Sequence, residues 1–77
     1  MRLFQQELDH PTQASRVRVN VFEQPEGGWL VTEDRSGTAT VIKTLGLFDD
    51  REAALAAARR QVDELTRQRY RPLSSAA

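Results

Sequence analysis

Arg16-Val17-Arg18-Val19-Asn20-Val21 alternates polar and apolar positions without a break. A period of two marks a strand with one buried face. Three valines on one side suit a pleated surface. A short first strand is predicted at Leu3–Leu8, and the polar stretch from His10 to Ala14, which contains Pro11, reads as the loop between the two. Gln24-Pro25-Glu26-Gly27-Gly28 then supplies turn chemistry, because Pro25 fixes φ and glycines accept positive φ. Trp29-Leu30-Val31-Thr32 follows at once, so the two runs predict a hairpin. Glu33-Asp34-Arg35-Ser36-Gly37 reads as a second polar turn, and Thr38 to Leu45 as the next strand.

The period changes after Phe48. Asp49 stands at an N-cap position with Glu52 three residues on, an Asp form of the capping box. The Ala-rich run from Ala53 to Ala58 has high helix propensity. On a 100° wheel Ala54, Leu55, Ala58, Val62 and Leu65 form one stripe, with Arg60, Asp63, Glu64 and Arg67 opposite. This predicts an amphipathic helix of about five turns that buries one face. Pro72 is expected to end it near Arg69 or Tyr70.

The predicted fold is α+β: an antiparallel meander of about four strands with one C-terminal amphipathic helix packed on one face. Residues 1–73 form the single domain, and 74–77, small and polar, a frayed tail. The second sheet face is left to solvent or to a partner. If Val21 opposes Trp29, then Val19 opposes Val31, and Val17, Val19, Val21, Trp29 and Val31 all face the helix. A one-residue slip would send Trp29 and Val31 to the open face with Arg16 and Arg18. The first register gives the more apolar core and is preferred, with Trp29 buried against Leu55 or Val62. The last strand is ambiguous. Val41 and Leu45 share a face with Lys43, and Ile42 shares one with threonines, which a bulge or an edge position would explain.

Length limits the core. A chain of 77 residues buries only about 60% of its unfolded surface, and it lacks cysteine, hence disulfides and thiolate chemistry. Eleven basic and eleven acidic residues cancel, which argues against bulk-charge binding to nucleic acid or anionic membranes. The charge is nevertheless polarised: residues 51–77 carry a net +3, residues 19–50 a net −4 and residues 1–18 a net +1. All basic side chains but Lys43 are arginine, suited to bidentate pairing with phosphate or carboxylate. No signal-peptide or membrane-span pattern stands out, so the expected location is cytoplasmic.

Catalytic patterns are sparse. His10 is the single imidazole, with no positioned nucleophile or orienting acid in view, and is read as structural. The pairs Glu33-Asp34, Asp49-Asp50 and Asp63-Glu64 point their members in different directions and match no calcium loop, so no metal site is expected. Gly27-Gly28 fits a hairpin turn rather than a phosphate loop. Trp29 and Phe22 could stack bases, but core roles are preferred. No enzyme activity, cofactor or metal is expected.

Several residues resemble the WGR domain, found in poly(ADP-ribose) polymerases and in short stand-alone bacterial proteins. In that family a Trp-Gly-Arg turn is followed by Gly and Thr. Glu33-Asp34-Arg35-Ser36-Gly37-Thr38 keeps Arg35, Gly37 and Thr38, with Glu33 and Asp34 in place of Trp and Gly. Lys43-Thr44, Phe48 and the run from Asp49 to Ala58 are similar to the strand, acidic cap and Ala-rich helix that follow. The closing Lys-Thr-x-x-Gly-Tyr pattern keeps Thr66 and Tyr70, with Leu65 and Arg69 replacing Lys and Gly. Short bacterial domains with a Gly-Gly-Trp hairpin, antitoxin-like ones included, share part of the pattern. The resemblance implies a non-enzymatic module and, from the polymerases, DNA contact, which two carboxylates beside Arg35 would oppose.

Two functions are therefore expected. The chain binds a protein partner, or itself, through the open sheet face. The alternative is weak nucleic-acid binding through Arg16, Arg18, Arg35, Arg67 and Arg71. Arginines gathered on one surface would favour the second, and an apolar open face the first.

Overall fold

The alternating run after Ser15 needs neighbours for its backbone groups and a cover for its valines, and the computed structural model supplies both. It describes residues 2–37 and 39–73. The order is β1 (Arg2–Asp9), β2 (Arg16–Glu23), β3 (Trp29–Ser36), β4 (Thr40–Phe48), α1 (Arg51–Arg67) and β5 (Arg71–Pro72). All strand pairs are antiparallel, in the spatial order β4-β3-β2-β1-β5. The α+β architecture is thus the expected four-strand meander with one helix packed on it, plus a short fifth strand. Among the described residues, no helix is long and apolar enough to cross a membrane. Thr38 and the predicted tail 74–77 lie outside the described residues.

The core lies between the helix and one sheet face. Leu8, Val17, Val19, Val21 and Val31 meet Ala54, Leu55, Ala58 and Leu65, and Tyr70 closes the cluster. The small Ala54 and Ala58, one turn apart, leave room for the valines beneath the helix axis. Val62 of the predicted stripe is partly buried against this cluster.

The predicted valine face is correct, but the hairpin register is not. Val21 pairs with Val31, and Trp29 pairs with Glu23 at the end of the ladder. The shift is two residues, so side chains keep their face while their partners change. The cause is the turn. Gln24 N–H donates to Gly28 O, and Gly27 N–H donates to Gln24 O, so all five residues from Gln24 to Gly28 stand outside the ladder. Gly28 has φ 91°, and a Cβ there would come within 3.2 Å of Phe48 O. Trp29 therefore lies half-buried at the rim of the core rather than deep within it.

The second turn also moves. Glu33 to Ser36 are not a turn but the second half of β3, paired with Val19 to Arg16. The strand β4 consequently starts at Thr40 and runs on to Phe48. A bulge sits where Thr32 faces Thr44 and Val31 faces Gly46, leaving Leu45 between them and packed against the core. The strand is also at the sheet edge, so both explanations for its mixed pattern hold. Gly46 is fitted to its site, since a Cβ would meet the Phe48 ring at 2.9 Å.

The helix cap is Asp50, not Asp49. Asp50 has extended backbone angles and its carboxylate accepts from Glu52 N–H at 3.2 Å. Phe48 is held in the ladder opposite Trp29, so the chain turns into the helix only after Asp49. Glu52 then stands too early to complete a capping box. At the other end the helix closes before Pro72 acts. Tyr70 N–H donates to Leu65 O and Arg69 N–H to Thr66 O, the Schellman arrangement. Arg69 takes φ 74°, the left-handed conformation that glycine usually supplies. Pro72 belongs to β5 instead, opposite Leu8.

Asp50→Ala is expected to cost about 1 kcal/mol in urea melts, as loss of an N-cap does, whereas Asp49→Ala should stay within about 0.5 kcal/mol. Equal costs at the two positions would contradict this cap.

Candidate functional site

The strand registers arrange the open face, opposite the helix, in cross-strand rows. The first is Thr40, Ser36, Arg16, Asp9 and Arg71; the second is Ile42, Asp34, Arg18 and Glu7. The third is Thr44, Thr32, Asn20 and Gln5, and the last is Leu47, Leu30, Phe22 and Arg2. Six of the seven charged side chains in these rows thus lie at one end, with Ile42 among them, and the other end holds Leu47, Leu30 and Phe22 beside Arg2, with a polar row between.

In the charged rows the signs interleave. Arg18 Nη2 lies 2.7 Å from Glu7 Oε1, and Arg71 Nε lies 3.9 Å from Asp9 Oδ1. Arg16 stands opposite both Asp9 and Ser36. A depression of about 220 Å³ is lined by Arg16, Arg18, Asp34, Ser36 and Thr40, so its two guanidinium groups share it with a carboxylate. Three arginines and three carboxylates occupy these rows, which leaves no net charge there.

In the polar row Asn20 is only 1% exposed although, among the described residues, no helix or strand covers that face. Gln5 Nε2 donates to Asn20 Oδ1, and Asn20 Nδ2 donates to Thr32 Oγ1 and Asp34 Oδ2, each at 3.3 Å. This satisfied network ties three strands together at the middle of the sheet. Beside it the apolar row presents Leu47 at 64% exposure, with Phe22 and Leu30 half-buried. Phe22 and Trp29 lie on opposite faces and do not form a common stacking platform.

The other two candidate arginines lie elsewhere. Arg35 is on the helix side, paired with Glu33 at 3.3 Å and placed over the Tyr70 ring at 5.9 Å. Arg67 is on the helix surface, paired with Glu64 at 3.0 Å. The structure therefore brings Arg16, Arg18 and Arg71 together and separates Arg35 and Arg67 from them.

Sequence reading missed Glu33. It is 5% exposed, and its carboxylate accepts from Gln61 Nε2 at 2.6 Å and from Arg35 Nη2. The signal available was parity: Glu33 continues the Trp29 and Val31 face once β3 is not ended at Thr32.

A cleft of about 390 Å³ opens at the charged end, lined by Asp9, His10, Gln13, Ala14, Ser15, Arg16, Ser36 and Gly37. Its His10 is engaged locally. Nδ1 accepts from the amides of Thr12 and Gln13 at 3.2 Å, and the ring edge meets the Tyr70 ring with centroids 5.1 Å apart. The neighbouring hydroxyl, Ser15 Oγ, is bonded to Tyr70 Oη at 3.0 Å rather than to the imidazole. Thr12 Oγ1 also lies 3.2 Å from Nδ1, so the imidazole braces its own loop while Tyr70 ties that loop to the helix end. Among the described residues, no group of three or more His, Asp or Glu side chains is placed to hold a metal ion.

Comparison with known proteins finds no matching family model, no matching curated protein and no matching solved structure.

Proposed function

We propose that the chain is a small, non-enzymatic protein-interaction module that works through its open sheet face. The observation that carries this reading is the apolar row Leu47, Leu30 and Phe22, with Leu47 64% exposed, on a face that no other element covers among the described residues. Such a row flanked by polar positions has the make-up of an interface core with its rim. The arginines of the same face support it from the other side. Each of Arg16, Arg18 and Arg71 has a carboxylate beside it, which cancels the field a phosphate backbone would need. The WGR-like layout is part of the proposal. Arg35 and Tyr70, two residues of the shared pattern, are in contact across the fold.

The experiment that separates protein from nucleic-acid binding is an anisotropy titration with labelled duplex and single-stranded DNA at two salt concentrations. Binding no tighter than about 10⁻⁴ M at physiological salt is expected, the weak end of non-specific association. Light scattering should give the same mass with and without duplex. Low-micromolar binding with a steep salt slope, lost in Arg16→Ala or Arg35→Ala, would overturn the reading.

A further inference from the structure

The two edges of the sheet are finished differently. On the β1 side the chain covers its own edge: β5 pairs with Leu8 and Asp9, Leu73 N–H donates to Glu7 O at 2.8 Å, and Gln6 Nε2 donates to Leu73 O. On the other side β4 is bonded to β3 alone, and among the described residues no strand pairs with its outer edge. Half of its backbone donors and acceptors point outward, a template for another strand.

The usual protections of an edge are sparse there. The strand is nine residues long, has no proline, and carries one charge, Lys43. Its first five residues, Thr40 to Thr44, are all exposed and precede the bulge at Leu45. Four of the five are β-branched, and Val41 and Ile42 are 61% and 68% exposed. This segment is extended, suited to pairing and uncovered.

We propose that β4 pairs antiparallel with β4 of a second copy of this chain, about a two-fold axis at Ile42, so that one sheet runs through both copies. The inference rests on the reading of the chain as an interaction module and names its partner as the chain itself. The register follows from the residues. An axis at Lys43 would set two like charges directly opposite, which is destabilising. An axis at Thr44 would run the pairing into the bulge at Leu45, and one at Val41 would run it into the turn at Gly37 and Ala39. An axis at Ile42 uses all five exposed residues. It sets Ile42 against its own copy, Thr40 against Thr44, and Val41 against Lys43, whose aliphatic stem can cover it. A formal net charge of zero leaves no long-range repulsion between copies.

Since the chain has no cysteine, single substitutions report the contact directly. Ile42→Cys places two thiols opposite one another, with Cβ atoms about 4.5–5.5 Å apart, close to disulfide range. Leu47→Cys, equally exposed but beyond the paired segment, is the control. Under mild oxidation Ile42→Cys should give a covalent dimer about tenfold faster than Leu47→Cys, because thiols held in place react as if concentrated. Without oxidant, light scattering on the unsubstituted chain should rise towards twice 8.7 kDa with concentration, and Ile42→Lys should stay monomeric. Faster cross-linking of Leu47→Cys would overturn edge pairing but keep self-association through the open face. Equal cross-linking rates, or a chain monomeric at all concentrations, would overturn self-pairing. The module reading would then stand or fall on the DNA titration.

Discussion

Leu65→Ala is expected to lower stability by about 2–5 kcal/mol, the cost of truncating a fully buried leucine. The side chain is completely buried in the cluster that includes Leu8, Val17 and Tyr70. Its place in the chain adds to the effect. Leu65 is where the helix turns into the Schellman closure, and its carbonyl accepts from both Gln68 and Tyr70 N–H at 3.0 Å. The packing of Leu65 against Tyr70 is the apolar contact that accompanies that motif. A cavity there loosens the helix end, the Tyr70 ring and the loop held by Ser15 together. A domain of this size rarely has more than about 3–5 kcal/mol in total from its core, so the variant should be partly unfolded at room temperature. Urea melts followed by far-ultraviolet dichroism test this, with Arg59→Ala on the exposed face as a control expected within about 0.5 kcal/mol. If the two midpoints coincide, the closure is not where stability resides.

The elements that were legible in the sequence are those whose pattern is imposed locally by burial. The stretch from Arg16 to Val21 alternates because Val17, Val19 and Val21 are buried on one face, and the helix shows its stripe for the same reason. The second half of β3 was hidden. Glu33-Asp34-Arg35-Ser36 is polar on both parities, as turns are, and its reasons for being a strand lie far along the chain. Glu33 is satisfied by Gln61, Arg35 by Tyr70, and Asp34 by Asn20. The strand β5 is two residues long and exists only because Leu8 and Asp9 are there to pair with. The candidate site was hidden in the same way. The arginines were visible, but their cancellation depends on two registers: that of β1 on β2, which places Asp9 and Glu7, and that of β3 on β2, which places Asp34 and which a five-residue turn moved by two. The free edge at β4 is likewise a property of strand order, not of composition.

Glu33 gives the second large effect. Glu33→Ala should cost about 1.5–3 kcal/mol, the range for removing a hydrogen bond to a charged group. Two bonds are lost, and they are not equal. Arg35 is half exposed and remains over the Tyr70 ring, so its ion pair with Glu33 is screened by water and contributes about 0–1 kcal/mol. Gln61 is half-buried on the helix, and its 2.6 Å bond to the carboxylate is charge-assisted, the stronger kind. Against this stands the cost of holding a carboxylate at 5% exposure, which the substitution removes. Glu33→Leu separates the terms, since it keeps the volume, removes the charge and still strands Gln61. A double-mutant cycle of Glu33→Ala with Gln61→Ala should show coupling above about 0.5 kcal/mol. Strict additivity would mean that the bond joining helix to sheet contributes nothing. A Glu33→Leu variant as stable as the parent would mean that Glu33 is kept for something other than stability, with its neighbour Arg35 the first residue to test.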